Sequence, residues 1–571
     1  MERRVLLAIT LSFLVLFAFQ AFFGTPPPPA TNTSAAPAVA SSVPPLVTGE
    51  PVAAAAVPPA NPSTPVVGDT EEREIVVETQ KVRATLTNRG ARVRHWILKE
   101  YKNDANQPLD LVPERIPAGT PYPFSLRVDD AAATARLNEA LYKVSGASSS
   151  TVDATSAPAT LTFELETAEG LRARKVFSFE TDTFIVSFSA SVQQGMQTEN
   201  PTVEWGPGLG DDIARTAPAS FLSPAYVYQA QAIFYQDGEV VRIPASQLGS
   251  GVVREGQFRW AGVDDHYFIS AIILPPASLR LEYNPVAIPA HVPPVTGTYV
   301  AYSARFPAPP ENVKYFVGPK QLDVMRRVDP EFTRAIYFGM FAWLAAPLLD
   351  ALRWVQGFVG DWGWSIIVLT ILINLALAPL RHKSVVSMRK MQELQPHMKA
   401  IQDRYAKYKI TDPERQKMNT EVMELYKSRG VNPASGCVPM LLTMPFLFAF
   451  YAMLGQAIEI RGEGFGWIPD LSRADPFYII PVLMGLSMFW QMRISPSSAD
   501  PTQQRIMMFM PIMITVTMLF APAGLVIYWL VSNIWTIGQQ YFTISILGPP
   551  RTAGAGAKPV KDGKPSKNSK G

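Results

Sequence analysis

The 571-residue sequence predicts an α-helical polytopic membrane protein of six transmembrane helices that also carries an all-β outer domain and a cytoplasmic helical hairpin. Three observations predict this. Charge is missing from long runs, residues 71 to about 320 alternate apolar and polar with period two, and residues 391–425 repeat apolar side chains at helical spacing. Averages conceal the pattern, because charged residues still make up 17% against ~25% in soluble domains. Mean hydropathy is only +0.08.

Residues 5–23, 362–380, 430–458, 476–492 and 506–550 contain no Asp, Glu, Lys or Arg. Each is long enough, or nearly so, to cross ~30 Å of hydrocarbon as a helix rising 1.5 Å per residue. The last run holds two crossings, with Phe520-Ala521-Pro522-Ala523-Gly524 supplying the reversal between them. Orientation follows from the cations. With the N-terminus cytoplasmic, the basic segments 381–432 and 551–571, net +6 and +5, fall inside, and segment 24–361, net −8, falls outside.

Residues 1–23 fit a signal peptide or an anchor; the 19-residue apolar stretch exceeds a signal core of ~7 to 15 and favours an uncleaved transmembrane anchor. Residues 24–70 hold 12 prolines and two charges and read as an extended tether. The outer domain, 71–325, reads as an antiparallel β-sandwich. Leu161, Phe163 and Leu165 alternate with Thr162, Glu164 and Glu166; the Ala168-Glu169-Gly170 turn follows, and the pattern resumes at 176–179 and 184–188. Gly206-Pro207-Gly208-Leu209-Gly210 has no βαβ context and reads as a loop, not a phosphate site. In 326–360, the aromatic stretch 332–349 is too short to cross and carries Pro347. It suits an interfacial helix on the outer membrane surface, or a helix packed on the sandwich.

Residues 361–381 form the second span and 382–432 the hairpin. Met391, Leu394, Met398, Ile401, Tyr405 and Tyr408 are spaced 3, 4, 3, 4, 3; Thr411-Asp412-Pro413-Glu414 starts a second arm carrying Met418, Val422 and Leu425. Pro396 either kinks the first arm or marks its true start. Lys399, Arg404, Lys407, Lys409, Arg415, Lys417, Lys427 and Arg429 line the polar faces. They form a solvated face, or a surface meeting an acidic partner such as ribosomal RNA or anionic lipid. Residues 433–547 hold spans three to six, and 548–571 a basic cytoplasmic tail. The single cysteine, Cys437, excludes an intramolecular disulfide and a cysteine-cluster metal site.

Within this frame lie Val431-Asn432-Pro433, Gly436-Cys437-Val438-Pro439-Met440-Leu441-Leu442-Thr443-Met444-Pro445, Leu471-Ser472-Arg473-Ala474-Asp475-Pro476, and Pro522-Ala523-Gly524-Leu525-Val526-Ile527-Tyr528-Trp529 followed by Ser532-Asn533. These motifs, in this order among the spans, resemble the YidC family of membrane protein insertases. The large outer domain resembles the Gram-negative inner-membrane form, which implies a periplasmic β-supersandwich. The resemblance further implies insertion and chaperoning of nascent inner-membrane proteins, alone or with the Sec translocon. It implies a ribosome docked on the hairpin and tail, contact with membrane lipids, and no cofactor or small-molecule substrate. The family groove, open to cytoplasm and lipid, carries one arginine midway along the second span. The matching position here is Asn374, which can hydrogen-bond but cannot attract an acidic segment as a cation would.

Other groove candidates are Thr370, Thr443, Ser487, Gln491, Thr515, Thr517, Ser532 and Asn533; Tyr528 and Trp529 match the family's aromatic pair, with Trp529 in place of a tyrosine. For any one Ser or Thr, bonding to its own helix is the commoner role. Eleven of the 20 methionines fall between Gly436 and Ala521, suiting either a surface that accepts varied apolar helices or packing filler. A solute transporter or channel is the alternative function, and it predicts an internal repeat and charged broken spans, neither of which is evident. An enzyme in the sandwich would rest on Asp264-Asp265-His266, a cluster that a surface turn explains more simply.

Overall fold

The computed structural model describes residues 65–547, apart from 104–105, 114, 148, 210–229, 290–295, 409–411, 431–437 and 495–500. The expected first span, nearly all of the tether and the basic tail lie outside the described residues.

Period-two patterning becomes sheet. Leu161, Phe163 and Leu165 of strand Ala159–Thr167 are buried, and they pair across antiparallel register with Phe177, Lys175 and Ala173 of strand Leu171–Phe179. Gly170, at φ +81°, makes the turn between them, a backbone conformation that favours glycine. These strands belong to an eleven-stranded sheet whose path continues through Ile185–Gln194, Val313–Pro319, Phe268–Ile273, Trp260–Asp264, Gln231–Gln236 and Glu239–Pro244. Two five-stranded sheets cover one face of it. From the first, Phe124, next to strand Ser125–Arg127, packs on Phe177, Phe188 and Tyr315 with ring centroids 5.3, 4.9 and 4.9 Å apart. From the second, Trp96 stacks on Phe179 and donates its indole N–H to the Val317 carbonyl at 2.9 Å. The pairing is antiparallel as expected except that Glu74–Glu78 runs parallel to Thr151–Asp153.

Strands Trp260–Asp264 and Phe268–Ile273 are buried at every position, because here the large sheet is covered on both faces. The second cover is the segment after the sandwich. Phe332, in the 3₁₀ turn Pro330–Ala335, packs on Trp260 and Phe316 at 5.4 and 5.3 Å. The aromatic stretch is therefore divided: its first part docks on the sandwich, and the helix that follows packs on other helices.

The helices are α1 (Ala131–Glu139), α2 (Leu322–Val328), α3 (Ala342–Val359), α4 (Trp362–Glu393), α5 (Gln395–Arg404), α6 (Pro413–Ser428), α7 (Val438–Gln456), α8 (Ile479–Ile494), α9 (Pro501–Met518) and α10 (Ala523–Leu547). α3 buries Ala345, Leu348, Leu349, Leu352 and Val355 against α4 and α7, and leaves Trp343, Trp354 and Phe358 exposed. α4 runs well beyond residue 381, and Pro396 stands in the first turn of α5, marking that arm's start. α5 and α6 pair through Leu394, Met398, Val422 and Tyr426. The 506–550 run divides between α9 and α10 at its proline–glycine reversal. Among the described residues one helix, Trp362–Ser387, is long and apolar enough by itself to cross a membrane; Met444–Gln456, Ile479–Ile494 and Met508–Met518 are shorter apolar stretches.

The Asp264-Asp265-His266 cluster is not a surface turn. Asp264 and Asp265 are 1% and 3% exposed; the Lys320 ammonium donates to the Asp264 carboxylate at 2.9 Å and to the Asp265 carbonyl at 2.6 Å. His266 Nε2 lies 2.6 Å from the Gly455 carbonyl near the end of α7, and Arg461 lies over the rings of Tyr267 and Phe268. The cluster is the sandwich's contact with the helices. Burial pushes the His266 imidazole down to about 3, so it docks neutral.

Candidate functional site: a polar seam between apolar helices

Leu372, Leu375, Leu486, Phe509, Ile512 and Phe542 project from the helices with 44 to 70% of their surface exposed. A surface this apolar suits lipid, not water. Polar side chains gather on the opposite, inner faces. Thr370 is fully buried and its hydroxyl donates to the Ile366 carbonyl at 2.6 Å, so it closes on its own helix. Asn374, one turn on and 2% exposed, donates through Nδ2 to the Thr370 carbonyl at 2.8 Å and to Ser532 Oγ of α10 at 3.3 Å. A second node joins α8 to α10: Asn533 Nδ2 donates to Ser487 Oγ at 3.0 Å, and Ser487 donates to the Met484 carbonyl. Toward the other end, Gln539 Nε2 of α10 donates to the Ala378 carbonyl of α4 at 2.9 Å.

The structure thus brings Thr370, Asn374 and Ser532 into one seam and Ser487 with Asn533 into another. Tyr528 is buried and stacked on Phe450, with centroids 4.0 Å apart and planes 10° from parallel, while Trp529 is half-buried beside it. Gln491 lies half-buried one turn beyond Ser487. Thr515 and Thr517 bond their own helix, to the Pro511 and Met513 carbonyls. Thr443 falls on α7, with its side chain outside the described residues.

Arg381, Thr536 and Gln539 are missing from the sequence-based candidates, and Arg381 is the cation among them. The Arg381 guanidinium donates through Nη1 to Asn374 Oδ1 at 2.6 Å and to Thr536 Oγ1 of α10 at 3.2 Å. A cation therefore does reach position 374, but from seven residues along the same helix. Two turns of α-helix return a side chain to nearly the same face, and helical side chains lean toward the N-terminus. That geometry is legible in the spacing. It is overlooked when position 374 is read alone and Arg381 is counted only as the first charge after an apolar run.

On the hairpin, Arg404 meets Glu421 at 3.2 Å, Lys417 meets Glu414, and Arg415 donates to the Tyr408 carbonyl. Lys399 is exposed and Lys407 lies over the Tyr408 ring; Lys409 lies outside the described residues.

Apolar helices that turn their greasy faces outward and close around amides, hydroxyls and a guanidinium define a helical membrane protein with an internal polar path. The families described as "YidC periplasmic domain" and "60Kd inner membrane protein" match residues 74–351 and 354–548. A membrane protein insertase YidC of Geobacter metallireducens is 33% identical over 95% of this chain and 98% of its own length. Its counterpart in Oleidesulfovibrio alaskensis is 34% identical over 95% and 99%. The chain belongs to the YidC family of membrane protein insertases. A solved structure, of an active YidC insertase with its first transmembrane domain resolved, covers 84% of this chain and 95% of its own at 15% identity, with a TM-score of 0.34. That likeness is too loose to add to the sequence relation.

Proposed function

We propose that the chain inserts newly made proteins into the inner membrane and chaperones their folding, by lowering the barrier that a polar segment meets in hydrocarbon. Each charged group costs ~2.5 to 3.5 kcal/mol at the centre of a bilayer on insertion scales. The observation that carries the reading is the seam of Thr370, Asn374, Arg381, Ser532 and Thr536 among helices whose outer faces are apolar. Such a seam, hydrated and opened toward cytoplasm and lipid, substitutes protein hydrogen bonds for water along the path of a client's polar end. No covalent step is needed.

Six spans place both termini in the cytoplasm and the sandwich in the periplasm. Cations of the α5–α6 hairpin and the basic tail meet the ribosome, and the Sec translocon shares larger clients. The cation distribution and family membership support this arrangement. The test is depletion of the protein in its host, followed by protease mapping of newly made small inner-membrane proteins. Their normally translocated ends should remain in the cytoplasm and so stay protected from protease added on the periplasmic side. Unchanged insertion under depletion would defeat the reading.

A further inference from the structure

We infer that the cleft between the sandwich and the adjoining ends of the helices binds the headgroup of an aminophospholipid, a primary ammonium beside a phosphate. The inference stands apart from the insertase reading. The cleft, of about 610 Å³, is bounded by the end of strand Arg92–Lys102, by Trp362 at the start of α4, and by the loop that joins α7 to α8. Exposed aromatic side chains gather at the same level: Trp354 and Phe358 near the end of α3, Trp364 in the first turn of α4, and Phe477 and Tyr478 just before α8. Such belts mark the boundary where hydrocarbon gives way to headgroups. The cleft therefore stands at headgroup depth.

Its lining is graded in charge. At depth lies Glu459, in the 3₁₀ turn Ile458–Ile460, with 3% of its side chain exposed. Its Oε1 accepts no hydrogen bond among the described residues; Arg353 Nε, at 4.0 Å, is too distant to donate, and Arg353 Nη2 serves Asp323 at 2.6 Å. At the mouth stand cations. Lys102 is exposed and makes no ion pair among the described residues, Arg473 is 52% exposed, and Arg461, over the rings of Tyr267 and Phe268, lines the cleft with them. A buried carboxyl oxygen without a donor is costly until something brings one. A headgroup entering tip first does so: its ammonium carries three N–H donors to Glu459, while its phosphate stops among Lys102, Arg461 and Arg473. A choline headgroup has no N–H and a glycerol headgroup has no cation, so neither brings Glu459 charge and donor together. The bound headgroup also ties the sandwich to the seam. Trp362 opens α4, and the loop that lines the cleft holds the start of α10, where the Ala523 and Gly524 N–H groups donate to the Arg473 and Leu471 carbonyls at 2.7 and 2.9 Å.

The test uses the purified full chain in detergent, titrated with short-chain phosphatidylethanolamine, phosphatidylcholine or phosphatidylglycerol. Bound lipid is counted by native mass spectrometry, and affinity is read from the rise in the unfolding midpoint. Phosphatidylethanolamine should bind about tenfold more tightly than either of the others, the scale of one charge-assisted hydrogen bond. Glu459→Gln should abolish that preference by weakening the ethanolamine lipid alone. Lys102→Ala, at an exposed position that leaves the fold intact, should weaken all three alike, because each carries the phosphate. Equal affinities in the unaltered chain, a preference that survives Glu459→Gln, or no effect of Lys102→Ala would overturn the proposal. In native membranes, a photo-reactive probe attached at Lys102→Cys in a Cys437→Ser background should cross-link to lipid. Capture of a client's translocated segment in its place would assign the cleft to polypeptide and overturn the proposal equally.

Discussion

Lys320, Lys175 and Arg381 are satisfied in three different ways, and the differences predict what each substitution does. Lys320 has a carboxylate; Arg381 has an amide and a hydroxyl; Lys175 hydrogen-bonds only to backbone, with the Tyr142 ring 5.7 Å from its ammonium. Its ammonium, fully buried at an inward position of the large sheet, donates to the carbonyls of Gly90, Ala91 and Phe124 at 2.6, 3.1 and 2.8 Å. Three donors meet three acceptors, although burial, with Arg92 nearby, pushes the lysine well below its usual range. Lys175→Met removes the charge but strands three carbonyls, so we expect a loss of about 3 kcal/mol, read by thermal unfolding of the chain. A stable variant would show that those carbonyls find other donors. Glu459 behaves in the opposite sense. Its side chain is 3% exposed, 4.0 Å from Arg353 Nε, and burial, with Asp323 and Asp350 adding to it, raises its carboxyl to about 7. Between about pH 4.5 and 7 the unfolded chain ionises here and the folded chain does not, so stability falls as pH rises through that window and levels off above it. The loss is roughly 3 kcal/mol. Glu459→Gln should flatten that slope in melting curves taken from pH 5 to 8. Neither residue announces itself in sequence. Lys175 sits where alternation calls for an apolar residue, and the partners of Glu459 come from segments more than 100 residues earlier.

At the scale of elements, helix starts and close approaches decide how the bundle is set. Asp475, 1% exposed, accepts from the Phe477 and Ile480 backbone N–H groups at 3.0 and 2.8 Å and from the Trp467 indole at 3.1 Å. It closes the start of α8 and ties the preceding loop to it. Asp475→Ala should cost about 2 kcal/mol, the upper end of a lost cap, and release the indole N–H of the already exposed Trp467 from its acceptor, read as a lower midpoint in thermal unfolding of the chain. Further along α8, a Cβ on Gly485 would stand 2.0 Å from Thr515 Oγ1 of α9. Gly485→Ala should therefore push α9 away from α8 at a cost of about 1 to 3 kcal/mol, and adding Thr515→Ala should recover part of it. Equal unfolding of the single and double variants would place the strain elsewhere. Strand periodicity and the Pro522–Gly524 reversal were legible because each depends on neighbours in sequence. The parallel pairing of Val76 with Thr151 was not, since register between strands 75 residues apart leaves no local trace. Asp264-Asp265-His266 was misread for the same reason: three polar residues look solvent-facing until Lys320, Gly455 and Arg461 are brought to them.

For the whole molecule, the cation distribution makes an orientation testable through the single cysteine. In a Cys437→Ser background, Met196→Cys lies on an exposed turn of the sandwich and Lys407→Cys on the hairpin. A membrane-impermeant maleimide should label the first in cells with a permeabilised outer membrane and the second only after lysis; the reverse pattern would invert the topology.

Strand Val313–Pro319, the last of the sandwich, lies in the middle of the eleven-stranded sheet, between Ile185–Gln194 and Phe268–Ile273. A chain made from its N-terminus must leave that sheet as two unjoined halves until residue 319 has been delivered outside, three residues before α2 begins. Closure of the domain is thereby a clock. It strikes only when export of the outer portion is finished and the apolar helices α3 and α4 are still to come.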